Sequence, residues 1–199
     1  MTKFIFDLDA TITKEETLPL IAEHFNVQYE IGELTKQTMA GNIPFMESFI
    51  KRVHILGGLP IDDISVLLSN IELYSEVLNF IHKNREHCVI ATGNLRCWIE
   101  GLVKKIGCEY YCSESDNENN AVKRLNKVLH KEEIVMFYKQ QKEKVVFIGD
   151  GNNDVEAMRL ADVSVASGMT HTPAHGVLSV ADYLVMNEEA LCRLLNQLL

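Results

Sequence analysis

The sequence predicts an α/β fold in which a mostly parallel sheet is covered by helices on both faces and a small helical bundle is inserted. Two observations predict it. Short apolar segments alternate with helical patterns over most of the 199 residues, which is typical of parallel sheets. Between the first and the second apolar segment the alternation stops, and several helical patterns follow one another. The sequence contains no internal repeat.

Six apolar segments have the length of strands. The first is wholly apolar, as expected for a strand that is buried on both faces of a sheet. The others end in polar, glycine or acidic residues, which mark turns at the strand ends. The predicted strands are Phe4–Phe6, His87–Ala91, Glu109–Cys112, Lys144–Ile148, Val163–Ala166 and Tyr183–Val185.

Helical patterns separate these strands. In the first pattern Leu18, Ile21 and Phe25 recur at the spacing that places them on one helix face. We predict helices at 15–26, 28–40, 44–56, 60–70, 74–84, from a turn at 92–94 to about 106, from a surface loop at 113–120 to about 141, at 152–160 and after 185, with a loop at 167–176. The early run of four helices predicts two domains: a core of residues 1–14 and 73–199, and a helical cap of residues 15–72.

Composition excludes several classes of partner. The chain has 28 acidic and 19 basic residues, a formal net charge of −9, and no basic patch, so we expect no nucleic acid as a partner. No apolar run is long enough to span a bilayer, so we expect no membrane partner. The five cysteines lack paired zinc spacing and no signal-peptide pattern is present, which predicts reduced thiols in a cytoplasmic protein, as a monomer or homodimer.

Two aspartates, Asp7 and Asp9, follow the first predicted strand directly. If the chain turns out of the sheet here, both carboxylates lie at the strand's carboxyl end, the edge at which open α/β sheets bind ligands. Neighbouring carboxylates repel each other and need a cation, a shared proton or water. An isolated Asp-x-Asp is more often a solvated strand end, so the pair by itself leaves both interpretations open.

Two later strand ends favour a site. Asp150 follows the fourth predicted strand between two glycines, and with Asp7 and Asp9 it would supply hard oxygen ligands suited to Mg²⁺. The second predicted strand ends in Thr92 and Gly93, whose hydroxyl and backbone N–H groups suit a phosphate oxygen. For these two residues an ordinary helix N-cap is an equally good interpretation.

In order along the chain, these stretches resemble the four motifs of the haloacid dehalogenase-like hydrolases. The matching stretches are Asp7–Thr11, Thr92-Gly93, a downstream lysine and Gly149–Asp154. The second aspartate is typical of the phosphatase and phosphotransferase branch, and a gap-free likeness to the phosphoserine phosphatases runs from Phe6 to about Pro60. The resemblance implies a Rossmann-like core with a helical cap, Mg²⁺ as cofactor and a small phosphorylated metabolite as substrate.

The resemblance also implies a role for each core residue. Asp7 is the expected nucleophile and Asp9 the expected general acid and base. Asp7, the backbone carbonyl of Asp9 and Asp150 are the expected Mg²⁺ ligands, while Thr92 and Gly93 are expected to hold the phosphate. A carboxylate can attack a phosphate only if cations offset the repulsion, which is the part that metal and lysine play.

Three lysines precede the last motif. Lys131 is the expected catalytic lysine, because Lys131 and the residues after it resemble the family's lysine and its amphipathic helix. Lys127 and Lys123 are the alternatives. Beyond the lysine, Asn153 is expected to contact substrate or water, and Asp154 to orient the lysine or support the metal.

Four predicted cap residues match positions that recognise phosphoserine in the family. Glu16 and Arg52 match the residues that bind its amino and carboxylate groups, since a zwitterion needs one anion and one guanidinium. Met39 and Phe45 match apolar positions that line the pocket. The alternative for the charged pair is a solvated helix face, and for the apolar pair a place in the core of the cap.

The sequence departs from the family pattern in three places. Asn94 replaces a glycine and is expected to add a side chain at the pocket. The polar stretch 113–120 is expected to replace the family's β-hairpin. The loop 167–176 carries His171 and His175, for which a solvated loop is favoured over a metal site, with a place near the pocket mouth as an alternative.

These departures leave the substrate open. Hydrolysis of phosphoserine or a similar small phosphate is the favoured function, and transfer of the phosphoryl group to a small alcohol is the alternative. A non-catalytic ligand-binding protein is a third possibility, against which the intact Asp7, Asp9 and Asp150 argue.

Overall fold

The computed structural model describes all 199 residues, apart from the side chains of Met39 and Phe45. Seven strands form one sheet in the order β4-β3-β2-β1-β5-β6-β7. The strands are β1 (Thr2–Phe6), β2 (Cys88–Leu95), β3 (Glu109–Glu118), β4 (Ala121–Lys127), β5 (Lys144–Gly149), β6 (Val163–Ser167) and β7 (Tyr183–Val185). All neighbours pair in parallel except β3 and β4, which confirms the predicted fold class.

The central strand shows why a wholly apolar segment forms this sheet. Phe4, Ile5 and Phe6 are all fully buried. Because successive side chains of a strand point to opposite faces, Phe4 and Phe6 join one hydrophobic cluster and Ile5 joins the other. β1 therefore has helices on both of its faces, and its carboxyl end lies in the middle of the sheet edge.

Ten α-helices surround the sheet in the described chain. They are α1 (Thr17–His24), α2 (Gln28–Met39), α3 (Phe45–Leu56), α4 (Ile61–Ser69), α5 (Ser75–Lys83), α6 (Arg96–Ile106), α7 (Lys131–Gln140), α8 (Val155–Leu160), α9 (His175–Leu178) and α10 (Glu188–Leu198). As far as the structure describes them, none has the length and apolar character that crossing a bilayer requires.

Helices α1–α4 form the inserted bundle. The chain leaves the sheet and returns to it at neighbouring points, where Thr13 and Leu73 form an isolated antiparallel bridge. Ile21, Phe49 and Ile64, from three of these helices, belong to the same hydrophobic cluster as one face of the sheet. Because bundle and sheet share this cluster, the division into core and cap stays a prediction.

The polar stretch 113–120 is the main error of the sequence prediction. It is not a loop: β3 continues to Glu118, and β4 replaces the helix predicted after residue 120. The turn between them consists of Asn119 and Asn120, with φ of 52° and 61°, the conformation that two-residue hairpins require and that asparagine tolerates. Much of this hairpin is exposed, so its polar residues carried no apolar alternation.

The hairpin holds the inserted bundle from the side. Val122 N–H donates to the Gly57 carbonyl at 2.8 Å, and Ile61 N–H donates to the Asn120 carbonyl at 2.9 Å. The side chain of Asn120 accepts a further hydrogen bond from Asp62 N–H at 3.1 Å, which caps the first turn of α4. The predicted replacement of the hairpin by a loop was therefore wrong, and the hairpin touches the turn between α3 and α4.

A second correction concerns the end of β2. The turn predicted at Thr92–Asn94 lies inside this strand, which continues to Leu95 and is buried along its whole length. Its pairing with β3 is irregular between Ala91 and Leu95. The strand thus brings Thr92, Gly93 and Asn94 past the regular ladder toward the edge where β1 ends.

Candidate active site

The carboxyl ends of β1, β2 and β5 meet at one pocket. β1 lies between the other two strands, and Asp7 N–H donates to the Ile148 carbonyl at 2.8 Å, so the residues after β1 and β5 are neighbours. The pocket is open and has a volume of about 460 Å³. Its walls include Asp7, Asp9, Glu16, Leu18, Phe49, Arg52, Gly93, Asn94, Asp150, Gly151 and Asn153. The structure thus brings most of the predicted site residues together.

Lys131 is the lysine that reaches this pocket. Its Nζ lies 2.7 Å from Asp7 Oδ1 and 2.6 Å from Asp154 Oδ1, and its side chain is 2% exposed. Burial lowers the pKa of Lys131, but the carboxylates of Asp154 and Asp7 outweigh burial and the net pKa is raised, so the amine stays cationic. Lys127 and Lys123 are exposed and pair with surface glutamates.

Asp154 holds both the lysine and the loop after β5. Besides Lys131, its carboxylate accepts hydrogen bonds from Asp150 N–H at 3.0 Å and Gly151 N–H at 2.9 Å, all on a fully buried side chain. A Cβ on Gly149 would lie 2.4 Å from Asp154 Oδ2, so only glycine fits there. This geometry agrees with the predicted role of Asp154 in orienting the lysine.

Asp7 and Asp150 are buried carboxylates whose pKa values are raised. Burial raises the pKa of Asp7, which Lys131 opposes. Burial also raises the pKa of Asp150, and the nearby carboxylates of Asp7 and Asp154 raise it further. Thr11 donates a hydrogen bond to Asp150 Oδ1 at 3.0 Å, as expected of a residue that orders the loop.

The donor set fits a divalent cation. Carboxylate oxygens of Asp7, Asp150 and Asp154 lie within 4.8 Å of one another. Lys131 contacts both Asp7 and Asp154, and Asp154 also accepts hydrogen bonds from two backbone N–H groups, so the three buried carboxylates share a single lysine. Hard oxygen atoms in this arrangement suit Mg²⁺. The coordination by the Asp9 carbonyl stays a prediction.

Asp9 points toward the start of α1. Its Oδ1 accepts hydrogen bonds from the Thr17 N–H at 2.8 Å and the Thr17 hydroxyl at 2.5 Å. Burial raises the pKa of Asp9 to about 6, and the charge of Glu16 adds to this effect while the Thr17 hydrogen bonds oppose it. A carboxyl group that keeps its proton to a higher pH than usual is suited to general acid chemistry.

Asn94 contacts this predicted acid. Its Nδ2 donates to Asp9 Oδ2 at 2.6 Å and to the Thr17 hydroxyl at 2.9 Å, while its buried Oδ1 has no partner among the described residues. Thr92 is fully buried, and its hydroxyl accepts a hydrogen bond from Asn94 N–H at 3.2 Å. Asn94 and Gly93 line the pocket, so the predicted side chain at this position is present there.

The residues predicted to recognise the substrate lie on the bundle side of the pocket. Glu16 precedes α1 and Arg52 lies on α3, where the arginine is 7% exposed and its Nε is 3.4 Å from the Ser48 carbonyl. Burial lowers the pKa of Arg52, and the charges of Glu16 and Asp9 oppose this. The side chains of Met39 and Phe45 lie outside the described residues.

His171 lies at the pocket, a place that the sequence interpretation gave only as an alternative. Its Nε2 lies 3.0 Å from Glu16 Oε1 and 3.4 Å from Asp150 Oδ2, so the favoured interpretation as a solvated loop residue was wrong. The hydrogen bond with Glu16 raises the pKa of His171. His175, in contrast, is exposed on α9. The signal was available, because the loop of His171 follows β6 and so starts from the same sheet edge as Asp7 and Asp150.

The model of the haloacid dehalogenase-like hydrolases matches residues 4–159. The chain belongs to this family. A curated relative, the phosphoserine phosphatase of Methanocaldococcus jannaschii, is 28% identical over 176 residues, which cover 81% of this chain and 83% of the relative. The phosphoserine phosphatase of Saccharomyces cerevisiae is 27% identical over 178 residues, which cover 82% of this chain but only 58% of that longer protein.

Solved structures of phosphoserine phosphatases share the fold. A phospho-aspartyl intermediate analogue superimposes with a TM-score of 0.80 at 21% identity, covering 98% of this chain and 99% of the other. A substrate-bound complex gives 0.81 at 23% identity, covering 99% and 98%. These structures confirm the fold. The family model and the curated relatives confirm the predicted resemblance to phosphoserine phosphatases within this family, and with it the prediction of an enzyme of the phosphatase type.

Proposed function

We propose that this haloacid dehalogenase-like hydrolase is a Mg²⁺-dependent phosphomonoesterase that acts on phosphoserine or a similar small phosphorylated metabolite. The observation that carries the proposal is the contact at the end of β1. There a buried Asp7 lies 2.7 Å from the Lys131 amine, on the floor of a pocket that Asp9 also lines. A carboxylate with an adjacent fixed cation is equipped to attack a phosphate group.

In the first half-reaction a carboxylate oxygen of Asp7 bonds to phosphorus and the bond to the ester oxygen breaks. Asp9 gives its proton to the departing alkoxide, which leaves as an alcohol. Lys131 offsets negative charge at Asp7 and on the phosphoryl oxygens. Mg²⁺ held by Asp7 and Asp150 would supply further positive charge at this point.

In the second half-reaction water attacks the phosphorus of the aspartyl phosphate. Asp9, now a carboxylate, accepts the proton of the water, and the bond between phosphorus and the Asp7 oxygen breaks. Inorganic phosphate leaves and both aspartates return to their starting state. One group can serve as acid and then as base because its role reverses between the two steps.

Two features support a small amino acid phosphate as substrate. Glu16 and Arg52 line the pocket together, an anion and a guanidinium that match the ammonium and carboxylate groups of phosphoserine. The curated relatives named above are phosphoserine phosphatases. In this proposal residues 15–72 act as the cap that selects the substrate.

Phosphate release from a panel of small phosphomonoesters, with and without Mg²⁺, tests the proposed reaction. We expect release by the wild-type protein and a loss of roughly a thousandfold or more in Asp7→Asn, because the amide cannot form the intermediate. Asp63→Asn, an exposed aspartate on α4, is the matched control. Full activity in Asp7→Asn, or no release from any ester, contradicts the reaction.

The same panel tests the substrate and the alternative reaction. Arg52→Ala is expected to raise the KM for phosphoserine by about tenfold to a hundredfold, because a buried bidentate partner of the carboxylate is lost. Unchanged kinetics for phosphoserine in Arg52→Ala would contradict the proposed recognition of the substrate by Arg52 without contradicting the proposed reaction. Addition of small alcohols distinguishes hydrolysis from transfer, since in transfer the alcohol attacks the aspartyl phosphate in place of water and a new ester forms instead of part of the inorganic phosphate.

A further inference from the structure

The loop after β6 is held in place on both sides of His171. The Thr170 hydroxyl donates to the Ala10 carbonyl at 3.0 Å and lies 3.0 Å from the Tyr74 hydroxyl. Beyond the histidine, Ala174 N–H donates to the Asp150 carbonyl at 2.8 Å. These hydrogen bonds tie the loop to the segments that follow β1 and β5. His171 is therefore positioned by the same backbone that positions the catalytic aspartates.

The imidazole ring itself is engaged at both nitrogens. Nδ1 lies 3.1 Å from the Thr172 carbonyl, and Nε2 lies 3.0 Å from Glu16 Oε1. Contacts at both nitrogens restrict rotation of the ring, and the side chain is 27% exposed. Nε2 also lies 3.4 Å from Asp150 Oδ2, so the ring stands between the substrate side of the pocket and the predicted metal ligands.

Glu16 is a half-exposed side chain whose carboxylate is held by the contact with His171. It precedes α1, its side chain is 33% exposed, and it makes no cap hydrogen bond to the helix. Its Oε1 is taken by His171, and Oε2 has no hydrogen-bond partner within the described part of the chain. Glu16, Arg52 and His171 together line a second pocket of about 480 Å³ beside the first.

We propose that His171 is a positioning residue for substrate selection: it holds the Glu16 carboxylate by Oε1 so that Oε2 receives the ammonium group of an amino acid phosphate. This inference rests on the proposed function. It adds to Glu16 and Arg52 a third group, which comes from the loop after β6 and not from the helical insertion. It also names the feature of the substrate that His171 serves, namely the amino group.

The contact with Asp150 offers a competing role, in which His171 acts through the metal site. The two roles differ in which substrates they affect. A change at the metal site alters the turnover of every phosphate ester, because every ester presents the same phosphate. A change at Glu16 alters only esters that carry an ammonium group.

The test compares phosphoserine with the same ester in which hydrogen replaces the amino group. In His171→Ala we expect the KM for phosphoserine to rise about tenfold with kcat nearly unchanged, because the carboxylate loses the hydrogen bond that fixes it. The KM for the ester without the amino group is expected to stay within about twofold. His171→Gln, whose amide can donate to the same oxygen, is expected to restore most of the affinity.

Two further variants complete the design. His175→Ala changes an exposed histidine four residues along the chain and controls for loss of a histidine in this region. In Glu16→Gln combined with His171→Ala, the two changes are expected to be non-additive for phosphoserine, because the histidine acts through the glutamate. Additive effects would contradict the proposal.

Other outcomes separate this inference from the proposed function. An equal loss for both esters, or a higher Mg²⁺ requirement in His171→Ala, would overturn the inference and assign His171 to the metal site. Unchanged kinetics in His171→Ala would also overturn it. The proposed function would still stand in that case if phosphate release were lost in Asp7→Asn. No phosphate release from either ester in the wild-type protein would refute both.

Discussion

The two sides of the pocket hold their charged groups in different ways. On the sheet side Asp7, Lys131 and Asp154 are 5%, 2% and 0% exposed. On the opposite side, the side chains of Glu16 and His171 are 33% and 27% exposed, and only Arg52, at 7%, is buried. We call Asp7, Lys131, Asp150 and Asp154 the catalytic floor, and Glu16, Arg52 and His171 the selecting side.

The difference follows from the elements that position the residues on each side of the pocket. Asp7 and Asp150 come directly after β1 and β5. These two central strands pair with each other, and their backbone hydrogen bonds fix the positions of their carboxyl ends. The selecting side draws on the start of α1, on α3 and on the loop after β6, three segments that are not neighbours in one ladder. In the proposed mechanism the reacting groups therefore follow strands of the sheet, whereas selection of the substrate depends on how the insertion and the loop pack against the sheet.

Replacing Lys131, the cation of the catalytic floor, should have the largest effect on activity and stability. Lys131→Met keeps most of the volume but leaves Asp7 and Asp154 as buried carboxylates without their shared partner. We expect activity to fall roughly a thousandfold and the free energy of unfolding to drop by about 3–5 kcal/mol. Phosphate release and urea unfolding measure the two effects. Lys127→Met, which changes an exposed lysine, should alter neither activity nor stability. Equal losses in the two variants would contradict the special role of Lys131.

Metal and protons should compete for the floor. Burial raises the pKa of Asp7 and of Asp150, so the folded protein holds protons that the unfolded chain releases. The metal-free protein should therefore lose stability as pH rises through the folded pKa values. In the proposed enzyme Mg²⁺ takes the place of these protons, so we expect its stabilising effect to be larger at about pH 8 than at about pH 5, by a few degrees in Tm.

Thermal unfolding at both pH values, with and without Mg²⁺, measures this effect. Asp150→Asn should lose most of the Mg²⁺-dependent increase, because one ligand charge is gone. The exposed Asp63→Asn should keep it. An increase that is the same at both pH values would contradict the assignment of protons and metal to the same carboxylates.

The smallest effect is expected at the turn between β3 and β4, which contacts the start of α4 in the inserted bundle. Asn120→Gly removes the side chain that caps α4 through Asp62 N–H but tolerates the positive φ of 61°. We expect a loss of about 1 kcal/mol in the free energy of unfolding. Asn119→Gly, at a φ of 52° in the same turn, is the control without that contact. A similar loss in both variants would assign the effect to the turn and not to the cap.

Prediction from the sequence worked best where structure is local. The apolar segments predicted the positions of six of the seven strands, because burial on both faces of a sheet leaves a run of apolar residues. It failed for β4, in which four of the seven residues are exposed and no apolar run is present. The signal that could have found the hairpin was the pair Asn119-Asn120, since two residues with positive φ make the turn that the hairpin needs.

The site also divides into features that local patterns predicted and contacts that they did not. The acidic strand ends pointed to Asp7, Asp9 and Asp150, because parallel strands end at one edge. The loop of His171 follows β6 and so could be assigned to this edge, but the partner of Asn94 and the contact of His171 with Glu16 could not be predicted in this way. Asn94 contacts Asp9, and His171 contacts Glu16, through packing between segments that are far apart in the chain.

The sequence by itself determined the α/β alternation, the family motifs and the residue types that the chemistry needs, because these depend on local patterns along the chain. Only the tertiary structure decided that Lys131, among three candidate lysines, contacts Asp7, and that His171 joins Glu16 at the pocket. The physical reason is that these contacts depend on strand order and on the packing of loops at the sheet edge. No spacing along the chain encodes that arrangement.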